Sequence, residues 1–227
     1  MSKFAIIIAT ALILALFVPA ASQAVLINLD VISDFEDISG PDKFTIRNNS
    51  SPGGTGGALI VEVVIDTRNS AGNVVFDTKG PYLDGFSGPA EDPNNPNLTG
   101  FQGFTFGDFI PGSSRYAQTI TLDFQYAESN VFNSGETFTF WTDTDADNGA
   151  DGYVSDSEIA GAELFVTLRG NSAADNFAPT TIQGDYGSSA HAKGAIPTPE
   201  PGTLLLLGSA LMGMGVLGRK KVKGTKR

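Results

Sequence analysis

Apolar and polar residues alternate along much of the chain between positions 44 and 170. A period of two is the spacing of a β-strand with one side buried and the other facing water. In the segment 116–126, for example, Ile120, Leu122, Phe124 and Tyr126 fall on one side. The alternating segments are rich in Val, Ile, Thr and Phe, and they predict strands at 44–48, 57–67, 73–78, 101–109, 116–126, 136–142 and 163–170.

The segments between the predicted strands are rich in Gly, Pro and Asn, which form turns and surface loops. Short strands separated by turns favour an all-β fold, an antiparallel β-sandwich with a jelly roll as the alternative. We assign this domain to residues 25–170, a length that can enclose a hydrophobic core. The following residues, 171–196, are small and polar and include proline, which is typical of a flexible linker.

The N-terminus predicts export. Lys3 is followed by an apolar run at 4–18 and by the small residues Ser22 and Ala24. This order is typical of a secretory signal peptide, here residues 1–24. An uncleaved anchor is the alternative, although the run is shorter than the ~20 residues of a spanning helix.

A second apolar run, at 203–218, lies near the C-terminus. It is short for a permanent anchor, and the positive-inside rule would leave the basic tail after it in the cytoplasm. The run is preceded by the triplet Pro199, Glu200 and Pro201, and it is followed by the basic cluster Arg219, Lys220 and Lys221. This order of parts over 197–227 resembles the PEP-CTERM sorting signal of Gram-negative bacteria; an ordinary tail anchor is the alternative.

The resemblance implies recognition by exosortase, a membrane cysteine protease-transpeptidase, and cleavage near the Pro-Glu-Pro triplet. It implies a transient stay in the inner membrane and delivery of the body, the chain between the two terminal segments, to the cell surface or extracellular matrix. Bacteria with this signal usually make exopolysaccharide and biofilm, so exopolysaccharide is an expected partner. The resemblance covers only about the last 30 residues and assigns no role to the body.

Charge separates the body from the two ends. Between Val25 and Pro199 the chain has seven basic and 24 acidic residues, a formal charge of −17. Such a body repels nucleic acid, so we expect no nucleic-acid partner. The chain has no cysteine, so burial of apolar side chains, helped by any bound metal, must stabilise the domain without disulfides.

The densest acidic segment is 142–158, which contains Asp143, Asp145, Asp147, Asp151, Asp156 and Glu158. Carboxylates this close repel one another, and a hard cation such as Ca²⁺ removes that repulsion. The segment therefore predicts a structural calcium site, with a solvated acidic loop as the alternative.

Residues 147–158 resemble a calcium loop of the helix-loop-helix type. The resemblance implies Asp147, Asp151, the Tyr153 carbonyl, Ser155 through water and a bidentate Glu158 as ligands, with Gly152 at the tight turn. Gly149 departs from the pattern, because a side-chain oxygen is expected there. Asp143 and Asp145 could supply the missing oxygens.

Signals for catalysis are weak. His191 is the single histidine and lies in the predicted linker, where nothing would orient it for a catalytic triad or a zinc site. A pair of carboxylates for glycoside hydrolysis could come from Glu62, Asp66, Asp123, Glu128, Glu136 and Asp143, but outward-facing strand positions are the favoured explanation of these residues. We therefore expect no enzymatic activity.

Trp141 is the remaining candidate for ligand binding. It is out of phase with Phe138 and Phe140, which places it on the opposite face of its strand. There it could stack on a sugar ring, although a second inter-sheet layer or partial cover by a loop is the commoner explanation. The favoured function is a noncatalytic protein of the cell surface or matrix that associates with exopolysaccharide. A carbohydrate-binding or adhesive module and a secreted glycan hydrolase are the alternatives.

Overall fold

In the computed structural model, residues 26–36, 41–51, 57–79, 89–95, 99–126, 130–149, 154–170, 177–187 and 189–197 are described. Contacts group Leu26–Thr198 into one unit. The predicted signal peptide, the Pro-Glu-Pro triplet, the apolar run at 203–218 and the basic cluster lie outside the described residues. Within the described ranges, no helix combines the length and apolarity needed to cross a membrane.

The first sheet has five antiparallel strands in the order β12-β1-β2-β8-β5. Their bounds are Leu26–Glu36 (β1), Asp42–Asn48 (β2), Ala90–Glu91 (β5), Thr137–Thr142 (β8) and Ser189–Pro197 (β12). The alternation in β1 places Leu29, Val31 and Phe35 inside the protein, all at most 4% exposed.

The second sheet has seven strands, six of them in the order β11-β10-β3-β7-β4-β9, while β6 also pairs with β7. The bounds are Ala58–Asp66 (β3), Val75–Asp77 (β4), Phe101–Phe109 (β6), Tyr116–Phe124 (β7), Thr144–Asp145 (β9), Glu163–Gly170 (β10) and Thr180–Asp185 (β11). A single helical turn, α1, spans Asp156–Ile159.

Phenylalanine rings join the two sheets. Phe44 of β2 lies 6.3 Å from Phe76 of β4, and Phe104 of β6 lies 5.4 Å from Phe140 of β8, between ring centroids. Phe44 and Phe140 also stack on each other at 5.1 Å. Because side chains of both sheets share one core, the predicted all-β sandwich is confirmed.

A β-bulge aligns the aromatic residues of β6. Strict alternation would place Phe101 and Phe104 on opposite faces, since they are three residues apart. The register with β7 shifts between Phe101 and Gly103, and Gly103 has a φ of 155°. The extra residue brings Phe101 into phase with Phe104 and Phe106, and all three rings pack against the core.

The predicted linker at 171–196 is wrong over most of its length, and with it the domain boundary at residue 170. Residues 180–185 and 189–197 form β11 and β12, which pair with β10 and β1. The inward residues of β12, Ala190 and Ala192, are fully buried. Strands β11 and β12 also approach closely, since a Cβ on Gly184 would lie 2.4 Å from the His191 backbone. Small residues resemble a linker in sequence, yet here they fill a narrow part of the core.

One consequence is that His191 lies in β12, opposite Ile32, rather than in a linker.

Tyr126 departs from the predicted alternation. It lies beyond the end of β7 and is 56% exposed, whereas Ile120, Leu122 and Phe124 are buried.

Candidate functional site

The chain crosses from the first sheet to the second at Asp143. Strand β8 ends at Thr142, and β9 begins at Thr144 and pairs with β4. This crossing brings Asp143 and Asp145 to Asp77 at the end of β4. One carboxylate oxygen from each of the three residues lies within 4.8 Å of the others.

This acidic cluster, defined as Asp77, Asp143 and Asp145, has the spacing that a calcium ion requires. Two oxygens bound to the same Ca²⁺ at about 2.4 Å are at most about 4.8 Å apart. Carboxylate oxygens are also the ligands that this cation prefers. The residues present therefore fit Ca²⁺ in distance and in chemistry.

Arg115 neutralises part of the cluster. Asp77 is fully buried, and the Arg115 Nε donates to its Oδ1 and Oδ2 at 2.7 and 2.8 Å. The hydrogen bond with Asp77 raises the pKa of Arg115 above its ordinary value, against the opposing effect of desolvation. One guanidinium set against three carboxylates leaves these four groups with a formal charge of −2.

Asp42 adds a further buried carboxylate at the same crossing. It pairs with Thr142 in the first sheet, and the Thr144 hydroxyl donates to it. The crossing therefore concentrates negative charge inside the protein.

Of the predicted ligands of the helix-loop-helix type, the structure describes Asp147, Ser155 and Glu158. Glu158 closes a capping box on α1: the Ser155 N–H and Oγ–H donate to its Oε2 at 2.8 and 2.7 Å. The side-chain hydrogen bond from Ser155, followed by the one from its backbone, lowers the pKa of Glu158. Asp147 lies in a turn after β9 with a φ of 48°. Asp151 and Tyr153 lie outside the described residues.

Gly149, the departure from the calcium-loop pattern, has a structural reason. Its φ is 97°, and a Cβ there would lie 2.6 Å from the Tyr116 ring. A side-chain oxygen at this position is thus excluded by packing. The structure unites the two upstream residues, Asp143 and Asp145, with Asp77, which sequence reasoning missed because it ends a different strand.

A polar cleft of about 360 Å³ lies at another edge of the body. It is lined by Glu91, Thr99, Gly100, Phe101, Gln102, Gln125 and Asn130. The Gln125 amide donates to the Asn130 carbonyl at 2.8 Å, and the Gln102 amide donates to Gln125 Oε1 at 3.3 Å. These hydrogen bonds hold both amides at the cleft wall.

Glycine at position 100 is required by this arrangement. Gly100 has a φ of 66°, and a Cβ there would lie 2.3 Å from the Asn130 carbonyl oxygen. The chain can therefore pass close to residue 130 only without a side chain. No single local motif in the sequence indicates the cleft, because its residues come from four separate segments.

Trp141 lies on the outer side of β8, half-buried, whereas Phe138 and Phe140 are fully buried, as the alternation predicted. Its neighbours on the adjacent strands are Lys43 and Ala90. Because Glu91 follows Ala90 in the same strand, it faces the opposite side. Trp141 and the cleft are therefore on different faces of the first sheet.

The candidate carboxylates for hydrolysis are distributed over both sheets and the turns next to them. Glu62 and Asp123 are cross-strand partners at partly or fully exposed positions. Asp66 accepts hydrogen bonds from the N–H and Nε of Arg68, at 3.0 and 2.9 Å. Glu136 accepts from the Asn133 N–H at 2.6 Å. Glu128 lies outside the described residues.

Comparison with known protein families identifies a motif in the C-terminal segment. The model of the PEP-CTERM protein-sorting motif matches residues 197–221. No curated protein sequence matches the chain.

One solved structure is similar in part, described as the complete structure of manganese lipoxygenase of Gaeumannomyces graminis and a partial structure of zonadhesin of Komagataella pastoris. The alignment has 15% identity, a TM-score of 0.29 and covers 78% of this chain and 53% of that one. This chain thus spans about half the length of the solved one, and at that TM-score the likeness carries no argument. The match to the sorting motif is informative. The protein carries a PEP-CTERM sorting signal and is an exported protein sorted by exosortase to the cell envelope.

Proposed function

We propose that the body is a noncatalytic structural protein of the cell surface or extracellular matrix that associates with exopolysaccharide. The sorting motif at 197–221 is the observation that carries this proposal, because it directs the acidic sandwich out of the cell. The charge of −17 between Val25 and Pro199 keeps such a body hydrated and separate from nucleic acid.

The mass of the mature extracellular protein tests this proposal. We expect a chain without residues 219–227, and we expect Glu200→Ala to leave the precursor in the membrane fraction. Thr180→Ala, a change in a strand upstream of the motif, is the matched control and should be processed normally. A mature protein that still carries Arg219 to Arg227 would rule out exosortase processing.

The proposal includes a structural calcium ion at the acidic cluster. Its support is the convergence of Asp77, Asp143 and Asp145 within 4.8 Å. Extracellular calcium sites bind with affinities near 10⁻⁴ to 10⁻³ M, so a weak site would be occupied outside the cell. The ion would join β4 of the second sheet to the chain that arrives from β8.

Thermal unfolding of the mature protein with calcium and with chelator tests this site. At 10 mM calcium and a Kd of about 10⁻⁴ M, binding stabilises by about 2.7 kcal/mol, which raises Tm by roughly 5–10 °C. Asp143→Asn should remove most of this rise, whereas Asp156→Asn, an exposed acid in the same predicted loop, should not. An unchanged Tm at 10 mM calcium would contradict the proposal.

A glycan-binding module is the second candidate, and the polar cleft favours it. A volume of about 360 Å³ is at the lower end of the range for small-ligand sites. Amide side chains both donate and accept, so Gln102 and Gln125 can bind neighbouring hydroxyl groups of a sugar while Phe101 supplies an apolar wall.

Retention on the exopolysaccharide of the producing cell distinguishes this candidate. Gln102→Ala and Gln125→Ala should weaken retention if the cleft binds the sugar, and Trp141→Ala should weaken it if the outer face does. Gln183→Ala, which removes an exposed amide from β11, is the control. Equal retention of all four variants would exclude specific sugar binding at either place.

Glycan hydrolysis has less support, since Glu62 and Asp123 are on a sheet surface and do not line the described cleft. Turnover of the exopolysaccharide that Glu62→Gln abolishes would overturn the noncatalytic assignment.

A further inference from the structure

The sorting motif begins where the last strand ends. Strand β12 spans Ser189–Pro197, and the motif model matches from residue 197 onward. Only Thr198 separates the end of β12 from Pro199, the first residue of the triplet. A linker of 26 residues would have kept the triplet far from the body, but most of that length is built into β11 and β12.

Strand β12 is paired up to its final residue. Its register with β1 runs from Asp34 opposite Ser189 to Leu26 opposite Pro197. The chain therefore enters the body at Leu26, directly across from the point where it leaves. When this pairing is complete, the residues just before the triplet are held in the first sheet.

A protease binds its substrate chain on both sides of the bond that it cleaves. A bond next to folded structure can therefore be cleaved only after local opening. For the Pro-Glu-Pro triplet, the chain on the amino side is residues 195–198. Three of these residues, 195–197, are paired with residues 26–28 of β1. The end of β12 must therefore leave β1 before an active site can bind it.

Residue types along β12 make such opening local. Ala190 and Ala192 are fully buried in the core, and they hold the first half of the strand. Toward the end, Ala195 is exposed and Ile196 is only half-buried. Detaching the last residues thus removes from the core only the contacts of Ile196, which packs against it while partly exposed, and the rest of the strand stays in place.

We propose that exosortase binds this protein when the end of β12 is detached from β1, so that cleavage at the sorting signal competes with pairing of that end in the first sheet. The inference rests on exosortase processing as proposed above. Once the triplet is cut, the freed end of β12 pairs with β1 again, and the released body has a complete sheet.

A disulfide between the two strands tests this inference. Asn28 and Ala195 are direct partners and both are exposed, so Asn28→Cys with Ala195→Cys fastens the end of β12 to β1. Because the chain has no other cysteine, this is the single disulfide that can form. In cells that contain exosortase, we expect the locked chain to be cleaved at least roughly tenfold more slowly than the wild type, and added reductant to restore the rate.

Two further chains make the result specific. Thr167→Cys with Thr181→Cys joins partners on β10 and β11 in the second sheet, and it should be cleaved at the wild-type rate. An insertion of eight Gly and Ser residues after Thr198 adds a reach of up to about 25 Å and should restore cleavage of the locked chain.

The inference is overturned if the locked chain, shown by gel shift to carry its disulfide, is cleaved at the rate of the Thr167/Thr181 control. It is also overturned if the inserted spacer gives no rescue. If the wild-type chain itself keeps residues 219–227, exosortase processing fails together with the inference. The three outcomes are therefore distinguishable.

Discussion

Asp77 and Arg115 form an ion pair with unequal exposure. The acid side chain is fully buried, while the Arg115 side chain is 33% exposed. Removing one partner of a buried pair leaves an uncompensated charge, which costs far more than breaking an exposed pair. At this position the cost is greater still, because Asp143 and Asp145 lie beside Asp77.

Arg115→Met should therefore lower the free energy of unfolding by about 2–4 kcal/mol in the absence of calcium. If calcium binds the acidic cluster, adding it should recover part of this loss, since the ion replaces the missing positive charge. Denaturant unfolding with chelator and with 10 mM calcium measures both effects. The control is Arg47→Met, whose pair with Asp34 is more exposed than the Asp77 pair and should contribute less than about 1 kcal/mol. Equal losses in the two variants would contradict this account.

Glu158 makes the stability of α1 depend on pH. Its pKa is lowered from the ordinary value of 4.5 by the hydrogen bonds from Ser155. A lowered pKa in the folded state means that the ionised form stabilises the fold above pH 4.5 and that this contribution disappears as the pH falls through the folded pKa.

Glu158→Gln should consequently cost up to about 1 kcal/mol at pH 7, since glutamine keeps a weaker capping box. The difference between the variant and the wild type should shrink as the pH falls through the lowered pKa of Glu158. Urea unfolding at pH 7 and at pH 3 measures it, with Asp156→Asn as the control for loss of charge in the same helical turn. A difference that stays constant from pH 7 to pH 3 would show that the cap does not depend on ionisation.

At the scale of elements, β11 and β12 complete both sheets. Strand β12 covers the edge of β1, and β11 covers the edge of β10. Tyr186, between the two strands, is 3% exposed, and its hydroxyl donates to Ser33 of β1. Burial raises the pKa of Tyr186, so its neutral form is the one that the fold retains. The segment thus joins the sheets through both pairing and a buried hydrogen bond.

A chain that ends at residue 170 should fail to fold, whereas one that ends at residue 198 should unfold cooperatively. The shorter chain loses Ile182, Tyr186, Ala190 and Ala192 from the core and exposes two strand edges. Circular dichroism during heating and size-exclusion chromatography compare the two. A cooperative transition of the shorter chain within a few degrees of the longer one would restore the linker interpretation.

At the scale of the whole molecule, the dominant feature is the charge of −17 on the body. Like charges at this density repel one another and destabilise the folded state, and salt screens the repulsion. A sandwich without disulfides has to offset this repulsion with its apolar core.

Raising NaCl from about 0.05 to 0.5 M should therefore increase Tm by a few degrees at pH 7. The increase should shrink at pH 4, where part of the carboxylates are protonated. Calcium at equal ionic strength should have a larger effect than NaCl if the acidic cluster binds it. A Tm that falls with NaCl at pH 7 would contradict the role given to repulsion.

Comparison of sequence and structure shows which signals are local. The strands predicted at 101–109 and 163–170 are found with the same bounds, since alternation and residue type are properties of a short segment. Strand β12 was missed because Ala190 and Ala192 become core residues only against the strands that they meet. The bulge at Gly103 was also missed, because a single glycine in a strand does not reveal which register its neighbours adopt.

The candidate sites show the same division. Asp143 and Asp145 were predicted as ligands from one segment, whereas Asp77 is more than 60 positions earlier in the chain and joins them only through the pairing of β4 with β9. The cleft likewise unites residues 91, 99–102, 125 and 130. A pairing between distant segments leaves no pattern in either segment alone.

The sequence by itself determined the all-β class and the sorting signal, because alternation acts within a strand and exosortase recognises a linear motif. The negative charge of the body also follows from composition alone. Tertiary structure decided which carboxylates share a site and that β12 belongs to the first sheet. It also decided that only Thr198 separates the Pro-Glu-Pro triplet from a paired strand. These features depend on contacts between segments far apart in the chain, and such contacts exist only once both sheets have closed around their common core.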